Sequence, residues 1–152
     1  MTIRLTQHSD IPALCDIADT TLFPGEMLTG MVTPVLDGLS DAVWLTALDG
    51  ETPRGFCFAA PEDMSNGTWN MRALAVAPEA HRHGFGRKLV ATLEQKLGES
   101  GARVLVVDTA SDPEQAPARA FYHSLGYTHA GTIPAFWDVG SDKVTFWKAL
   151  PG

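Results

Sequence analysis

The order of periodic segments along the chain predicts an α+β fold. Residues 43–48 and 55–60 are strand-like runs joined through Asp49-Gly50, which reads as a hairpin. Leu89, Val90, Leu93 and Leu97 recur at spacings of three and four and mark one face of an amphipathic helix. A mostly β-branched apolar run, 104–107, has the character of a strand at a sheet centre. At 152 residues the chain is most simply one domain, 1–152, long enough to bury a core without disulfides or metal.

Taken in order, Ile3 and Leu5 alternate with polar neighbours in a short first strand. Ser9 or Asp10 can cap a helix within 8–23, where Pro12 suits the first turn and Ile11, Leu14, Ala18 and Leu22 share a face. Phe23-Pro24-Gly25 stops it. Residues 26–39 keep helical spacing, although Thr33-Pro34 allows two short helices as readily as one. After the hairpin comes a polar turn, 61–67, and then a central strand, 69–76, ended by Pro78. The long helix runs from Gly86 and closes at 98–101. Residues 108–117 read as a polar connection; Ala118, Phe121, Tyr122 and Leu125 form one face of a short helix stopped by Gly126. The final strands are 127–133 and 143–150, with AFWDVGSD, 135–142, as the loop between them.

Charge narrows the function. The chain carries 11 Lys+Arg against 18 Asp+Glu, a net of -7, which speaks against nucleic acid as the main partner. Yet Arg82, Arg87 and Lys88 crowd into seven residues beside His81 and His83, a local basic cluster suited to a polyanion. Cys15 and Cys57 sit in apolar runs and read as reduced core residues of a cytoplasmic protein. Neither a signal-peptide start nor a bilayer-length apolar stretch is present in the sequence, so no membrane association is expected.

HRHGFG, 81–86, is a helix entrance whose backbone N–H groups lack helical partners, and Gly84 and Gly86 let another molecule approach them. The natural guest is a phosphate; the bland alternative is a capped helix behind a solvated basic loop. A dinucleotide fingerprint would need glycine where Leu89 stands, and a P-loop would need Gly-Lys-Ser/Thr where Gly86 precedes Arg87, Lys88 and Leu89. His81 and His83 with Glu79 match no metal spacing, so no metal is expected.

Strand, proline, a loop of the type Gln/Arg-x-x-Gly-x-Gly/Ala and an amphipathic helix resemble the acyl-CoA signature of the GNAT superfamily of N-acetyltransferases, with His81 departing at the first motif position. QAPARAFYHSLGY, 115–127, resembles the family's Asn-x-x-Ala-x-x-Phe/Leu-Tyr-x-x-x-Gly-Phe/Tyr, with Gln115 for Asn. The resemblance implies a mixed, mainly antiparallel sheet flanked by helices, with a splayed central strand pair. It implies acetyl-CoA as acyl donor and an amine as acceptor. Leu74 and Val76 would lie beside the pantetheine arm, and His81, Arg82, His83, Gly84, Phe85, Gly86, Arg87 and Lys88 would surround the diphosphate. Gln115 would contact the arm, backbone N–H near Val76 would stabilise the carbonyl oxygen, and Tyr122 would protonate the departing sulfur. Without the motif, Tyr122 reads equally as a core tyrosine beside Phe121.

An alkylammonium is almost wholly charged at neutral pH, so a proton must leave before attack. Where relatives place a glutamate on the central strand, this chain offers Asn70 and Arg72 and no carboxylate. Water relayed by polar groups at the strand end is the first expectation, with Glu26 and Asp138 as candidate carboxylates. Arg72 either holds an acidic acceptor group or pairs on the sheet face. Phe23, Phe136 and Trp137 are candidates to line the acceptor pocket. The sequence thus points to an acetyl-CoA-dependent N-acetyltransferase, the rival being an acyl-CoA sensor without turnover; a homodimer is compatible with either.

Overall fold

A computed structural model describes residues 1–151. Among them, β1 (Thr2–Leu5), β2 (Val43–Asp49), β3 (Thr52–Pro61), β4 (Thr68–Val76), β5 (Val104–Ala110), β6 (Thr128–Asp138) and β7 (Ser141–Ala149) form one sheet in the order β1-β2-β3-β4-β5-β7-β6. The helices are α1 (Ile11–Thr21), α2 (Leu28–Leu36), α3 (Phe85–Glu99) and α4 (Ala116–Ser124). Every neighbouring pair of strands is antiparallel except β4 and β5, which run parallel because α3 lies between them in the chain. This is the α+β architecture expected: a mixed, mainly antiparallel sheet flanked by helices.

Strand register decides which face each helix covers. A Cβ built on Gly55 would lie 3.4 Å from Leu89 Cδ1, so α3 covers the face that carries Gly55 and its register partner Val76, and with them Cys57 and Leu74. Trp44, Phe56, Phe58 and Ala75 point the other way, and Trp44 stacks on Phe58 with ring centroids 4.5 Å apart. Since Trp44, Phe56 and Ala75 are buried, that face must be covered too; α1 packs against β3 and β4 and α2 against β2, which does so. Tyr122 of α4 packs against Phe146, placing α4 on the α3 side of the sheet.

Two boundaries differ from the sequence reading, and residues 26–39 resolve into the single-helix one of its two alternatives. AFWDVGSD is not a loop: β6 runs to Asp138, β7 starts at Ser141, and only Val139-Gly140 turns between them. The register jumps from Ile133↔Lys143 to Asp138↔Ser141, so 134–137 bulge out with Ala135 at φ 52°, which hid the strand from a period-two search. β5 continues through Asp108 to Ala110 where a polar connection was expected, because β7 pairs with it to the end. Residues 26–39 yield one helix, α2, entered by a 3-10 turn at Gly25–Met27, with Pro34 tolerated in its last turn. Asp10 does not cap α1 with its side chain; its carboxylate accepts from the Gln7 N–H at 2.9 Å and from both terminal nitrogens of Arg4 at 2.7 and 2.9 Å.

That last contact ties β1 to the start of α1 with Asp10 only 3% exposed. Burial alone would raise the Asp10 carboxyl, but the Arg4 hydrogen bonds, the Gln7 N–H and the Thr46 hydroxyl outweigh it and leave its pKa below the ordinary value. The stabilisation is therefore present above the ordinary carboxylate pKa and is lost as pH falls through the lower folded value. Asp10→Ala is expected to cost roughly 2–3 kcal/mol at pH 7, with the gap to wild type narrowing in acid. Denaturant titrations at pH 7 and at about pH 3 check both.

Candidate functional site

β4 and β5 pair only from Thr68↔Val104 to Met71↔Val107. On the other side of β4, Phe58 faces Ala73 and Ala59 faces Met71, so Arg72 is an extra, bulged residue. Beyond it the two strands separate, and the splayed central pair implied by the motif is present. The Ala77 N–H donates to Arg54 C=O at 2.7 Å, which makes 54 and 77 a hydrogen-bonded pair; by alternation Ala75 also bonds toward β3. The N–H and C=O groups of Leu74 and Val76 therefore face the gap that β5 has left.

The loop after β4 turns these strand groups toward the helix entrance. Pro78–Ala80 makes one 3-10 turn, and His81 Nε2 lies 2.8 Å from the Val76 carbonyl. A carbonyl only accepts, so that ring nitrogen carries the proton and donates. Arg82 and Gly84 both take left-handed backbone angles, φ 67° and 84°. The Lys88 N–H to Gly84 C=O bond, 3.0 Å, closes the first turn of α3, leaving the N–H groups of Phe85, Gly86 and Arg87 without helical partners.

Gap and helix entrance open into one cleft of about 810 Å³. Of the residues singled out from the sequence, Leu74, Val76, His81, Arg82, Gly84, Phe85, Gly86, Arg87 and Tyr122 line it, with Pro117, Ala118 and Phe121 of α4 closing the opposite wall. Phe85 contributes from its backbone side, since its ring is buried in the core at 6% exposure. His83, Lys88 and Gln115 are exposed and are not among its lining residues. A Cβ on Gly86 would sit 3.4 Å from Phe121 Cζ and 3.7 Å from Val76 Cγ2, so the cleft is narrow there and a side chain at position 86 would fill it.

Tyr122 is buried among Phe121, Tyr127 and Phe146, with centroids at 5.5, 6.0 and 6.1 Å. Burial raises its phenol above the ordinary value and the Cys57 thiol adds to the rise, so the group stays protonated at neutral pH. Burial likewise pushes the Cys57 thiol up to about 12, which keeps it neutral. Tyr127 is different: its hydroxyl donates to Glu94 at 2.7 Å, and Lys148 bonds the same carboxylate at 3.0 Å, pinning β6 and β7 to α3.

Across the sheet from Tyr122, Asn70 Nδ2 donates to Glu62 Oε1 at 3.1 Å and Asp108 Oδ2 at 3.2 Å. Thr145 Oγ1 donates to Asp108 Oδ1 at 2.6 Å, and Arg72 approaches Glu62 at 3.9 Å. Sequence reasoning missed Glu62 and Asp108. The available signal was the alternation Val104, Val106, Asp108, which continues the strand past 107. Trp137 Nε1 donates to Thr109 C=O at 3.2 Å, and Phe136 packs against it at 4.7 Å. Asp138 accepts from the Val139 N–H at 2.7 Å in the β6–β7 turn, Glu26 is exposed in the 3-10 turn before α2, and Phe23 is half-buried after α1. Among the described residues no cluster of three His, Cys, Asp or Glu side chains could hold a metal, and no helix is long and apolar enough to cross a membrane.

The model of the Acetyltransferase (GNAT) family matches residues 12–127. No match was found among curated proteins. Among solved structures, the chain is similar to a protein from Desulfovibrio desulfuricans described as a GNAT-family acetyltransferase, with TM-score 0.89, 22% identity and 98% of each chain covered. It is similar to an aminoglycoside 6'-N-acetyltransferase complexed with coenzyme A, at TM-score 0.84 and 18% identity over 100% of this chain and 98% of that one. The ribosomal-protein-S18-alanine N-acetyltransferase from Escherichia coli gives TM-score 0.81 and 20% identity over 99% and 94%. At these identities the structural likeness shows the fold.

Proposed function

The chain belongs to the acetyltransferase (GNAT) family, and from that premise we propose that it transfers an acetyl group from acetyl-CoA to a primary amine by direct attack on the thioester. The observation that carries this reading is that the splayed β4–β5 gap and the donor-rich entrance of α3 open into one cleft. The diphosphate sits on the N–H groups of Phe85, Gly86 and Arg87, neutralised by Arg82, Arg87 and Lys88, with His83 beside them at the rim. His81 serves the cradle indirectly, by tying its loop to Val76. The pantetheine amides extend β4 at Leu74 and Val76, with Gln115 beside them, in the way a peptide adds to a sheet edge.

Chemistry takes place in the gap. The acceptor nitrogen attacks the carbonyl carbon, and the charge that builds on oxygen meets a backbone N–H near Val76. As the C–N bond forms and the C–S bond breaks, the thiolate takes the Tyr122 proton. A raised phenol pKa keeps this donor loaded well into the alkaline range. Asn70 and Arg72, beside Glu62 and Asp108, and Trp137, bonded to Thr109, are the acceptor contacts in this reading, with Phe23, Glu26 and Asp138 as further candidates. Two free cysteines support a reducing, cytoplasmic setting.

A thiol-release assay with acetyl-CoA and a panel of primary amines tests the reaction. Binding of acetyl-CoA without release on any amine would point to an acyl-CoA sensor instead. Tyr122→Phe should lower kcat by about 10-fold to 100-fold with acetyl-CoA affinity nearly unchanged, and wild-type kcat should show no alkaline fall from this group below about pH 10. Gly86→Val adds a branched side chain between Phe121 and Val76, which a Cβ at this position already touches at 3.4 and 3.7 Å, so calorimetry should show acetyl-CoA affinity reduced at least ~100-fold while circular dichroism is unchanged.

A further inference from the structure

We infer that Asp108 is the carboxylate that receives the acceptor's ammonium group and takes its proton, on β5 rather than on β4; this rests on the acetyltransferase reading above. Val107 is the last β5 residue with a β4 partner, so Asp108 stands at the base of the gap. Its face is fixed by register. Val107 pairs with Phe146, against which Tyr122 packs, whereas Asp108 pairs with Thr145 and looks out on the opposite side of the sheet. Acyl donor and acceptor therefore approach the same gap from opposite faces, with Tyr122 behind the sulfur and Asp108 before the nitrogen.

The carboxylate is held in place yet reachable. Oδ1 accepts from Thr145 at 2.6 Å, Oδ2 accepts from Asn70 at 3.2 Å, and the side chain is 15% exposed. The charged groups facing it are Lys143 of β7, at 3.8 Å, and across Asn70 the Glu62–Arg72 pair. Lys143 is the longer contact and lies partly under the Phe136 ring, 4.5 Å from its centroid. A second cation can thus reach the carboxylate from the solvent side. Trp137, bonded to the carbonyl of the next residue, Thr109, walls that approach with an apolar surface for the carbon chain of an alkylamine.

Proton balance is simple. The bound ammonium gives one proton to Asp108, and its neutral nitrogen attacks. As the C–N bond forms the nitrogen becomes acidic, and its second proton passes to water while the thiolate takes that of Tyr122. Solvent then reprotonates Tyr122 and relieves Asp108, so each transfer releases one proton net.

Asp108→Asn keeps the shape and removes the charge. With primary alkylamines at pH 7, kcat/KM for the amine should fall about 100-fold, acetyl-CoA affinity by calorimetry should stay within about twofold, and the deficit should shrink as pH rises toward the amine's own pKa. Wild-type kcat/KM in the folded variant, or a deficit that does not change with pH, would overturn the assignment of Asp108 alone. Acetyl-CoA binding by wild type with no turnover of any amine would overturn the acetyltransferase reading and this proposal with it. If Asp108→Asn does not fold, Asp108→Ser carried through the same pH series is judged by the same two outcomes.

Discussion

After Met71↔Val107, β4 gives up its hydrogen bonds to β5, and most of what this molecule offers to a ligand follows from that break. A buried amide or carbonyl left unpaired costs about 1–3 kcal/mol, so a sheet does not open unless its groups find other partners. Here the partners come from outside the ladder. His81 donates to the Val76 carbonyl, and Arg119 to those of Ala110 and Asp112 at 2.6 and 2.9 Å. Each holds one lip of the gap against a different element, so the opening persists as part of the native packing.

The bulge at Arg72 does more than bend the strand. One extra residue exchanges the faces on which β4 side chains emerge, which lets Met71 stay in the core while Leu74 and Val76 look into the cleft. On β5 no such exchange occurs, and Val107 and Asp108 divide between core and the opposite surface. The gap is therefore a passage between two differently furnished faces: an aromatic, phenol-bearing wall on one side, and an amide, a hydroxyl and a carboxylate on the other.

Electrostatics separates the two ends of the site. The chain is acidic overall, yet Arg82, Arg87 and Lys88 stand together at the entrance of α3, where unpartnered N–H groups already carry the positive end of the helix dipole. At the far mouth stand the carboxylates of Glu62 and Asp108, each with a cation beside it, Arg72 and Lys143. The two ends therefore differ in kind: cations with unpartnered N–H groups at one, and ion-paired carboxylates at the other.

Local features were legible in the chain. The face of α3 is written in Leu89, Val90, Leu93 and Leu97, the turn into it in Gly84 and Gly86, and the packing tyrosine of α4 in the spacing from Ala118 to Gly126. These depend on a residue and its near neighbours, and sequence periodicity records such relations. What escaped were features set by distant pairings. The 134–137 bulge exists because β6 must follow β7, and Asp108 is strand because β7 runs beside it; no periodicity within 108–117 says so. The sequence alone determined that this chain builds an amphipathic helix entered through a glycine-bordered, basic loop. Only the tertiary structure decided which carboxylate stands at the gap, because register between strands far apart in the chain, and not local propensity, sets the face on which a side chain emerges.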